Sequence, residues 1–372
     1  MRAAEFFAGI GLVRLALEAS GWEVVFANDI DPKKESMYKA NFSGSEFVLD
    51  DIHHLKSRRI PSVDLATASF PCIDLSLAGN RRGLSGTHSS AYWGFHRLIR
   101  GLHERRPPAL LIENVVGLLA SNRGDDLREL LQSLNVLGYF CDLLVIDAAH
   151  FVPQSRPRLF VVGTQLRRTD GLFAPHPARP PQVEEFIAQN PRLKWFHAEL
   201  PPFPSNVPSL SSVLEIVPHS SEKWWDSSRQ KHLYSQISDR HRRILRELIR
   251  RPERSFCTVY KRVRPSGCRA ELRFDGLAGC LRTPRGGSSK QFVIEAGCGE
   301  WRIRNMTPRE YARLQGVSDT YRITVPENVA LLGFGDAVCV PALSWLISNA
   351  IDPLFETAPM VTERPLSNYA EV

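Results

Sequence analysis

The stretch "AAEFFAGIGLVRLALEASGWEVVFAND", Ala3 to Asp29, decides the fold. "AAEFFAG" is an apolar run of strand length, and it ends in glycines at 9 and 11. "LVRLALEAS" then carries apolar residues at helical spacing, and Gly21 stands where helices commonly close in a left-handed residue. "EVVFAND" reads as a second strand, with Pro32 well placed to open the next helix. The alternation continues through the strand-like runs "EFVLDDI", "DLATASF", "ALLIENV", "YFCDLLVIDA" and "RLFVVGT". Helical segments intervene around Tyr92–Glu104 and Asp125–Leu137, the latter followed by Gly138. Repeated strand-helix-strand units predict an α/β fold with a mostly parallel, doubly wound sheet up to about Thr164.

Beyond Thr164 the pattern changes. Ten prolines between Pro175 and Pro218 leave little room for regular helices or central strands. "DRHRRILRELIR" (239–250) reads as a basic amphipathic helix with Ile244, Leu245, Leu248 and Ile249 on one face, stopped by Pro252. Strand-like, glycine-punctuated segments run from Ser255 to Glu295. In "MTPREYARLQG", Thr307 and Glu310 form a capping box around Pro308, so a helix starts there. The apolar stretch Val329–Ile347 has the length of a membrane span, but Gly333, Gly335, Asp336 and Pro341 interrupt it, and a buried loop between two elements is expected. The tail from about Glu356 is expected to fray.

A net charge of +7 favours a polyanionic partner. Between Arg240 and Arg273 twelve basic residues face three acidic ones, so the charge concentrates in one segment; a solvated face and a nucleic-acid surface both fit. Seven cysteines, an odd number without a CxxC pair, suit a reducing cytoplasm and no zinc site. The first residues lack a signal-peptide pattern.

The residues at the strand ends carry the chemistry. "FFAGIG" lets backbone N–H groups approach a ligand, although it lacks a full GxGxxG and a plain tight turn fits as well. Asp29 ends the second strand, where a carboxylate can bind ribose hydroxyls, and Asp50 and Asp51 end the third. Cys72 follows Pro71 after the fourth strand, Glu113 ends the fifth, and "QSRPR" brings Arg156 and Arg158 to the start of a later one. Taken singly these are a packed cysteine, a helix-capping carboxylate and surface arginines. Together on one sheet edge they suit methylation of cytosine C5. A thiolate adding to C6 turns the ring into an enamine, a carboxylic acid donates to N3, and a guanidinium holds O2.

In this order the motifs resemble the DNA cytosine-C5 methyltransferase family of bacterial restriction-modification systems: "FFAGIG", "SFPC", "ENV", "QSRPR", "RIRNMTPREYARLQG" and "GDAV", spanning about residues 5 to 341. The resemblance implies a Rossmann-like, S-adenosylmethionine-dependent methyltransferase fold with a smaller, irregular target-recognition domain. It implies a catalytic domain over 1–166, a recognition domain over 167–328, a C-terminal segment 329–355 returning to the first domain, and a tail from 356 to 372. Cys72 matches the nucleophile, Glu113 the acid and Arg158 the contact to O2, with Arg156 beside it. Phe7, Ala8, Gly9, Ile10, Gly11, Asp29, Ile30, Asp51, Ile52, Pro71, Asp336 and Ala337 match the cofactor pocket. Arg81, Arg82, Arg242, Arg246, Arg285 and Ser288 become candidates for DNA contact. The implied cofactor is S-adenosylmethionine, leaving as S-adenosylhomocysteine, without a metal. The implied partner is double-stranded DNA, with a restriction endonuclease as companion on the same sequence, no membrane, and a monomer as the sufficient unit in a bacterial cytoplasm.

Three positions depart from the family pattern: Ile73 for a frequent glutamine, Leu12 for a glycine and Asp336 for an asparagine. An RNA methyltransferase shares the catalytic motifs, but the long proline-broken insert favours DNA. A silent DNA-binding regulator would not need Cys72, Glu113 and Arg158, and a nicotinamide oxidoreductase would leave Cys72 and "QSRPR" unexplained.

Overall fold

The chain leaves its first strand through three left-handed residues, Phe7 (φ 59°), Gly9 (φ 58°) and Gly11 (φ 83°), and this turn sets the first layer of the fold. The computed structural model describes residues 1–70, 90–166, 175–264, 267–282 and 290–356. β1 (Arg2–Phe6) leads through the turn into α1 (Leu12–Ala19), then β2 (Glu23–Asp29), α2 (Pro32–Asn41), β3 (Phe47–Leu49) and β4 (Leu65–Ala68). There follow α3 (Ser90–Arg100), β5 (Ala109–Val115), α4 (Asp125–Val136), β6 (Phe140–Asp147) and β7 (Pro157–Thr164). Asp31 caps α2 by accepting from Lys33 N, with Pro32 in the first turn as the sequence predicts.

These strands form one seven-stranded sheet in the order β3-β2-β1-β4-β5-β7-β6. β7 runs antiparallel to both neighbours and the other pairings are parallel, so the sheet is mostly parallel. Alternate residues face opposite cores. Ala3, Leu65, Leu111 and Phe160 pack with α1 and the C-terminal helices, while Ala4, Ala66, Ile112 and Val161 pack with α3 and α4. Leu12, Val13, Ala16 and Leu17 are the buried stripe of α1, and each large aliphatic side chain there contributes about 1.5–3 kcal/mol. Strand order reverses between β1 and β4, which opens a crevice at the carboxyl ends of these strands.

The proline-rich segment holds a helix after all, α5 (Pro181–Gln189), followed by the single turn α6 (Leu210–Val213). Pro180 precedes α5 and Pro181 opens it, where a missing N–H costs nothing. α7 (Ser227–Gln236) and α8 (Asp239–Arg250) cover one face of a second, antiparallel sheet of order β11-β10-β8-β9. Its strands are β8 (Ser255–Arg264), β9 (Gly267–Arg273), β10 (Gln291–Gly297) and β11 (Glu300–Asn305). α9 (Pro308–Leu314) begins with the predicted capping box between Thr307 and Glu310.

The apolar stretch expected as a buried loop is helical: α10 (Glu327–Asp336) and α11 (Val340–Leu346). A short break separates them, and α12 (Asp352–Glu356) closes the described chain. Glycine serves packing inside α10. A Cβ on Gly333 would stand 2.9 Å from Ile10 Cγ2, so its absence lets the helix lie on the loop after β1. The stretch is buried in the protein, including Ala330, Leu331, Phe334, Leu343, Leu346 and Ile347.

Candidate active site

Two clusters share the carboxyl edge of the large sheet. The first surrounds the turn after β1. Gly9 N donates to Asp29 Oδ2 at 2.8 Å and Asp31 N to Asp29 Oδ1 at 2.9 Å, so the carboxylate ending β2 braces the glycine turn. Gly11 cannot be larger, because a Cβ would meet Phe42 Cε2 at 2.4 Å and Tyr38 Cδ2 at 2.9 Å. Tyr321 donates its hydroxyl to Ile10 O at 2.6 Å, and Ala8 N donates to Asn28 O at 2.9 Å. Phe7, a non-glycine residue in left-handed backbone, packs edge-on against Phe70. Ile30, directly after Asp29, is 64% exposed, an apolar platform at the crevice. Ile52 differs from it: its side chain is buried in the core against Gly94. Asp51 accepts from His53 N at 2.9 Å and shapes the turn after β3.

The departure at Asp336 has a local answer. Lys34 Nζ lies 3.0 Å from Asp336 Oδ2. Burial works against the ammonium, yet Asp336, Asp29 and Asp31 together hold Lys34 above its ordinary range. An extra negative charge at the end of α10 is thus matched by a lysine on α2.

The second cluster joins β5 to β7. Antiparallel register sets Val115 opposite Arg158, which places Glu113 one diagonal step away on the same face. Arg158 Nε meets Glu113 Oε1 at 3.0 Å, with both side chains mostly buried. Arg158 also points Nη1 and Nη2 at Cys280 Sγ, each at 3.9 Å. Arg156, grouped with the catalytic residues from its motif, turns most of its donors to main-chain carbonyls. Its guanidinium donates to Leu281 O at 2.5 Å, Gly335 O at 3.0 Å and Ala337 O at 2.7 Å. Its own backbone N–H donates to Asp147 Oδ1 at 2.6 Å. Burial and the neighbouring Arg158 push Arg156 below its ordinary range. It is therefore a clamp that ties the start of β7 to the 280s segment and to the end of α10, because its donors go to main-chain carbonyls.

The predicted DNA contacts divide. Arg242 donates to Tyr234 O at 3.2 Å and Ser235 O at 2.8 Å, capping the last turn of α7. Arg246 donates to the Tyr234 hydroxyl at 3.1 Å. Both therefore bond to α7, with Arg242 half-buried and Arg246 exposed. Cys72, Pro71, Arg81, Arg82, Arg285 and Ser288 lie outside the described residues.

Sequence reading missed Gln154 and Gln315. Gln154 donates to Leu314 O at 2.7 Å and accepts from Leu281 N at 3.1 Å, and Gln315 donates to Phe334 O at 2.7 Å. These buried amides join motifs distant in sequence; "QSRPR" and "RLQG" were the available signals, but their partners are main-chain groups that no side-chain pattern announces. Lys34 and Cys280 were also missed.

With this geometry in place, the comparisons are specific. The family model of C-5 cytosine-specific DNA methylase matches residues 1–351. The chain is 27% identical over 355 residues to the Type II methyltransferase M.HaeII of Haemophilus aegyptius, covering 94% of this chain and 92% of that protein. It is also 27% identical to M.HpaII of Haemophilus parainfluenzae, covering 91% and 86% of the two chains. Among solved structures, the S. pombe Dnmt2 methyltransferase aligns with a TM-score of 0.62 at 20% identity, over 95% of this chain and 99% of its own. The Entamoeba histolytica methyltransferase EhMeth aligns with a TM-score of 0.64 at 15% identity, over 95% and 98%. At these identities the structures speak for the fold, which is that of a methyltransferase, whereas the match along nearly the whole chain speaks for the family. The chain belongs to the C-5 cytosine-specific DNA methylase family, enzymes whose reaction implies S-adenosylmethionine as methyl donor.

Proposed function

We propose that the protein methylates C5 of one cytosine within a short duplex DNA sequence, through a covalent Cys72–C6 intermediate on a base turned out of the helix. The observation that carries this reading is the Glu113–Arg158 pair, held at 3.0 Å on the sheet edge beside the braced glycine turn. The residues around that turn fit the cofactor: two left-handed glycines with no room for a Cβ at Gly11, an acidic strand end at Asp29 and an exposed apolar platform at Ile30. Phe7, Ala8, Gly9, Ile10 and Gly11 would hold the cofactor's methionine end, Asp29 its ribose, and Ile30, Asp51, Ile52 and Pro71 its adenine side. Asp336 and Ala337 would close the pocket. Bound there, S-adenosylmethionine supplies an electrophilic methyl group.

The chain's own groups would then prepare the base. The Cys72 thiolate forms a bond to C6 and moves the ring electrons toward C5. Glu113 donates a proton to N3, which draws electron density off the ring, and Arg158 holds O2 in line. Once C5 carries its methyl group, the C5 proton passes to water, the Cys72–C6 bond breaks to restore the double bond and the thiolate, and the N3 proton returns to Glu113. Cytosine in a duplex is shielded by stacking, so the base must be extruded; the loop "SLAGNRRGLSGTHSS" (76–90), with Arg81 and Arg82, would close behind it. The segment 167–328 would read the sequence, and a restriction endonuclease acting on the same word is the expected companion. One extruded base per catalytic unit makes a monomer in the cytoplasm sufficient.

Bisulfite sequencing of DNA from methylation-free cells expressing the protein tests this. Protected cytosines in one recurring short context, absent with Cys72→Ala, are the expected result; no protection by soluble, cofactor-binding protein would refute it.

A further inference from the structure

Three guanidinium nitrogens crowd one sulfur. Cys280 Sγ lies 3.5 Å from Arg156 Nη1 and 3.9 Å from both Nη1 and Nη2 of Arg158. Arg158 in turn reaches Glu113 with its Nε at 3.0 Å. Its fork therefore points at the sulfur while its inner nitrogen holds the acid. We infer that Cys280 is a positioning residue for methyl transfer, a thiolate that neutralises this arginine cluster and holds Arg158 square on Glu113.

The placement is fixed from both sides. Leu281 N donates to Gln154 at 3.1 Å and Leu281 O accepts from Arg156 at 2.5 Å, so the cysteine's own backbone is pinned to the start of β7. Ala278 N donates to Pro153 O at 2.7 Å and Ser155 N to Ala278 O at 3.0 Å, which pins the residues before it. The charged groups around the sulfur come from several elements. Arg156 and Arg158 stand at the start of β7 and Arg282 on the cysteine's own segment, while Glu113 on β5, Asp147 at the end of β6 and Asp336 at the end of α10 face the two arginines; the sulfur also lies 3.5 Å from Leu281 O. Burial alone would push the thiol up, but Arg156, Arg158 and Arg282 outweigh it and hold Cys280 below its usual range. Without an anion there, the two adjacent guanidinium groups would repel each other more strongly, and Arg158 would lose its contacts to the sulfur while Nη1 keeps Pro157 O at 2.9 Å.

This inference rests on the reading of Glu113 and Arg158 given above, and the experiment separates the two. Single-turnover methylation is measured across pH for wild type, Cys280→Ala, Cys280→Ser, Cys280→Asp and Glu113→Gln, alongside affinities for S-adenosylmethionine and for the DNA. Losing a charged hydrogen-bond partner is expected to lower the rate of Cys280→Ala and Cys280→Ser about tenfold, with both affinities unchanged. Removing the negative charge leaves Glu113 in a more positive field, so the alkaline limb of the rate profile moves to lower pH in these two variants. Cys280→Asp carries the anion and returns the limb toward the wild-type position, which a purely steric role would not do. If Cys280→Ser matches wild type in rate and profile while Glu113→Gln is inactive, the inference is wrong and the site reading stands. A fully active Glu113→Gln overturns the site reading itself. Should Cys280→Ala fail to fold, the comparison of Ser with Asp decides.

Discussion

Replacing Glu5 by glutamine should change how stability depends on pH. Glu5 sits on β1, fully buried, one residue before Phe6 and the glycine turn. Burial pushes its carboxyl from 4.5 up to about 8, and Arg14, through its charge and its backbone N–H, only partly opposes this. In the unfolded chain the group ionises near its ordinary value. Between that value and about 8 the folded protein therefore holds one proton more than the unfolded chain, and stability falls as pH rises through the window. Each pH unit costs at most about 1.4 kcal/mol, so the step from pH ~5.5 to ~7.5 removes up to about 3 kcal/mol. Glutamine has nearly the same shape and does not titrate. Urea unfolding of both proteins at the two pH values isolates the difference, because every other group titrates alike in each. The amide's extra donors alter the level of stability but not its slope. The gap between Glu5→Gln and wild type should thus move in favour of the variant by up to about 3 kcal/mol as pH rises. Parallel pH profiles would refute the assignment of a protonated carboxyl to this position.

Gly11→Ala combines left-handed strain with a Cβ 2.4 Å from Phe42; the expected loss is about 2–4 kcal/mol in unfolding experiments, with weaker S-adenosylmethionine binding by calorimetry. Lys34→Met removes the ammonium beside Asp336, Asp29 and Asp31 and should lower the melting temperature, whereas the added Asp336→Asn recovers part of the loss; a strictly additive double-mutant cycle would deny the Lys34–Asp336 coupling. Arg156→Lys keeps the charge but cannot reach three carbonyls, so it should cost about 3–5 kcal/mol, with faster amide exchange around Leu281 and Gly335.

The large sheet was legible because its strands are short apolar runs, most of them next to a helix of the right period. The edge carrying Asp29, Glu113 and Arg158 followed from strand ends alone. Two helical stretches were not. Prolines 180 and 181 look like breakers in a count of composition, yet they sit before and at the first helical position of α5. Gly333 looks like an interruption until Ile10 is seen against it. The two motif arginines, separated only by Pro157 in "QSRPR", look alike in the sequence. Arg158 extends from the strand toward Glu113, whereas Arg156 precedes the strand and turns toward carbonyls from residues 281, 335 and 337. α8 shows the same limit: periodicity found its apolar stripe correctly, but which arginines cap α7 depends on a neighbour whose packing no local pattern encodes.

The most direct test of the central claim uses duplex DNA in which the target cytosine carries fluorine at C5. Cys72 adds to C6 and the methyl group arrives, but fluorine cannot leave as a proton does, so the protein should remain bonded to the DNA. The account predicts a denaturation-resistant complex that requires S-adenosylmethionine, maps by mass spectrometry to the peptide containing Cys72, and is absent with Cys72→Ala. Attachment at any other residue, or no complex when cofactor and DNA are both bound, would contradict it.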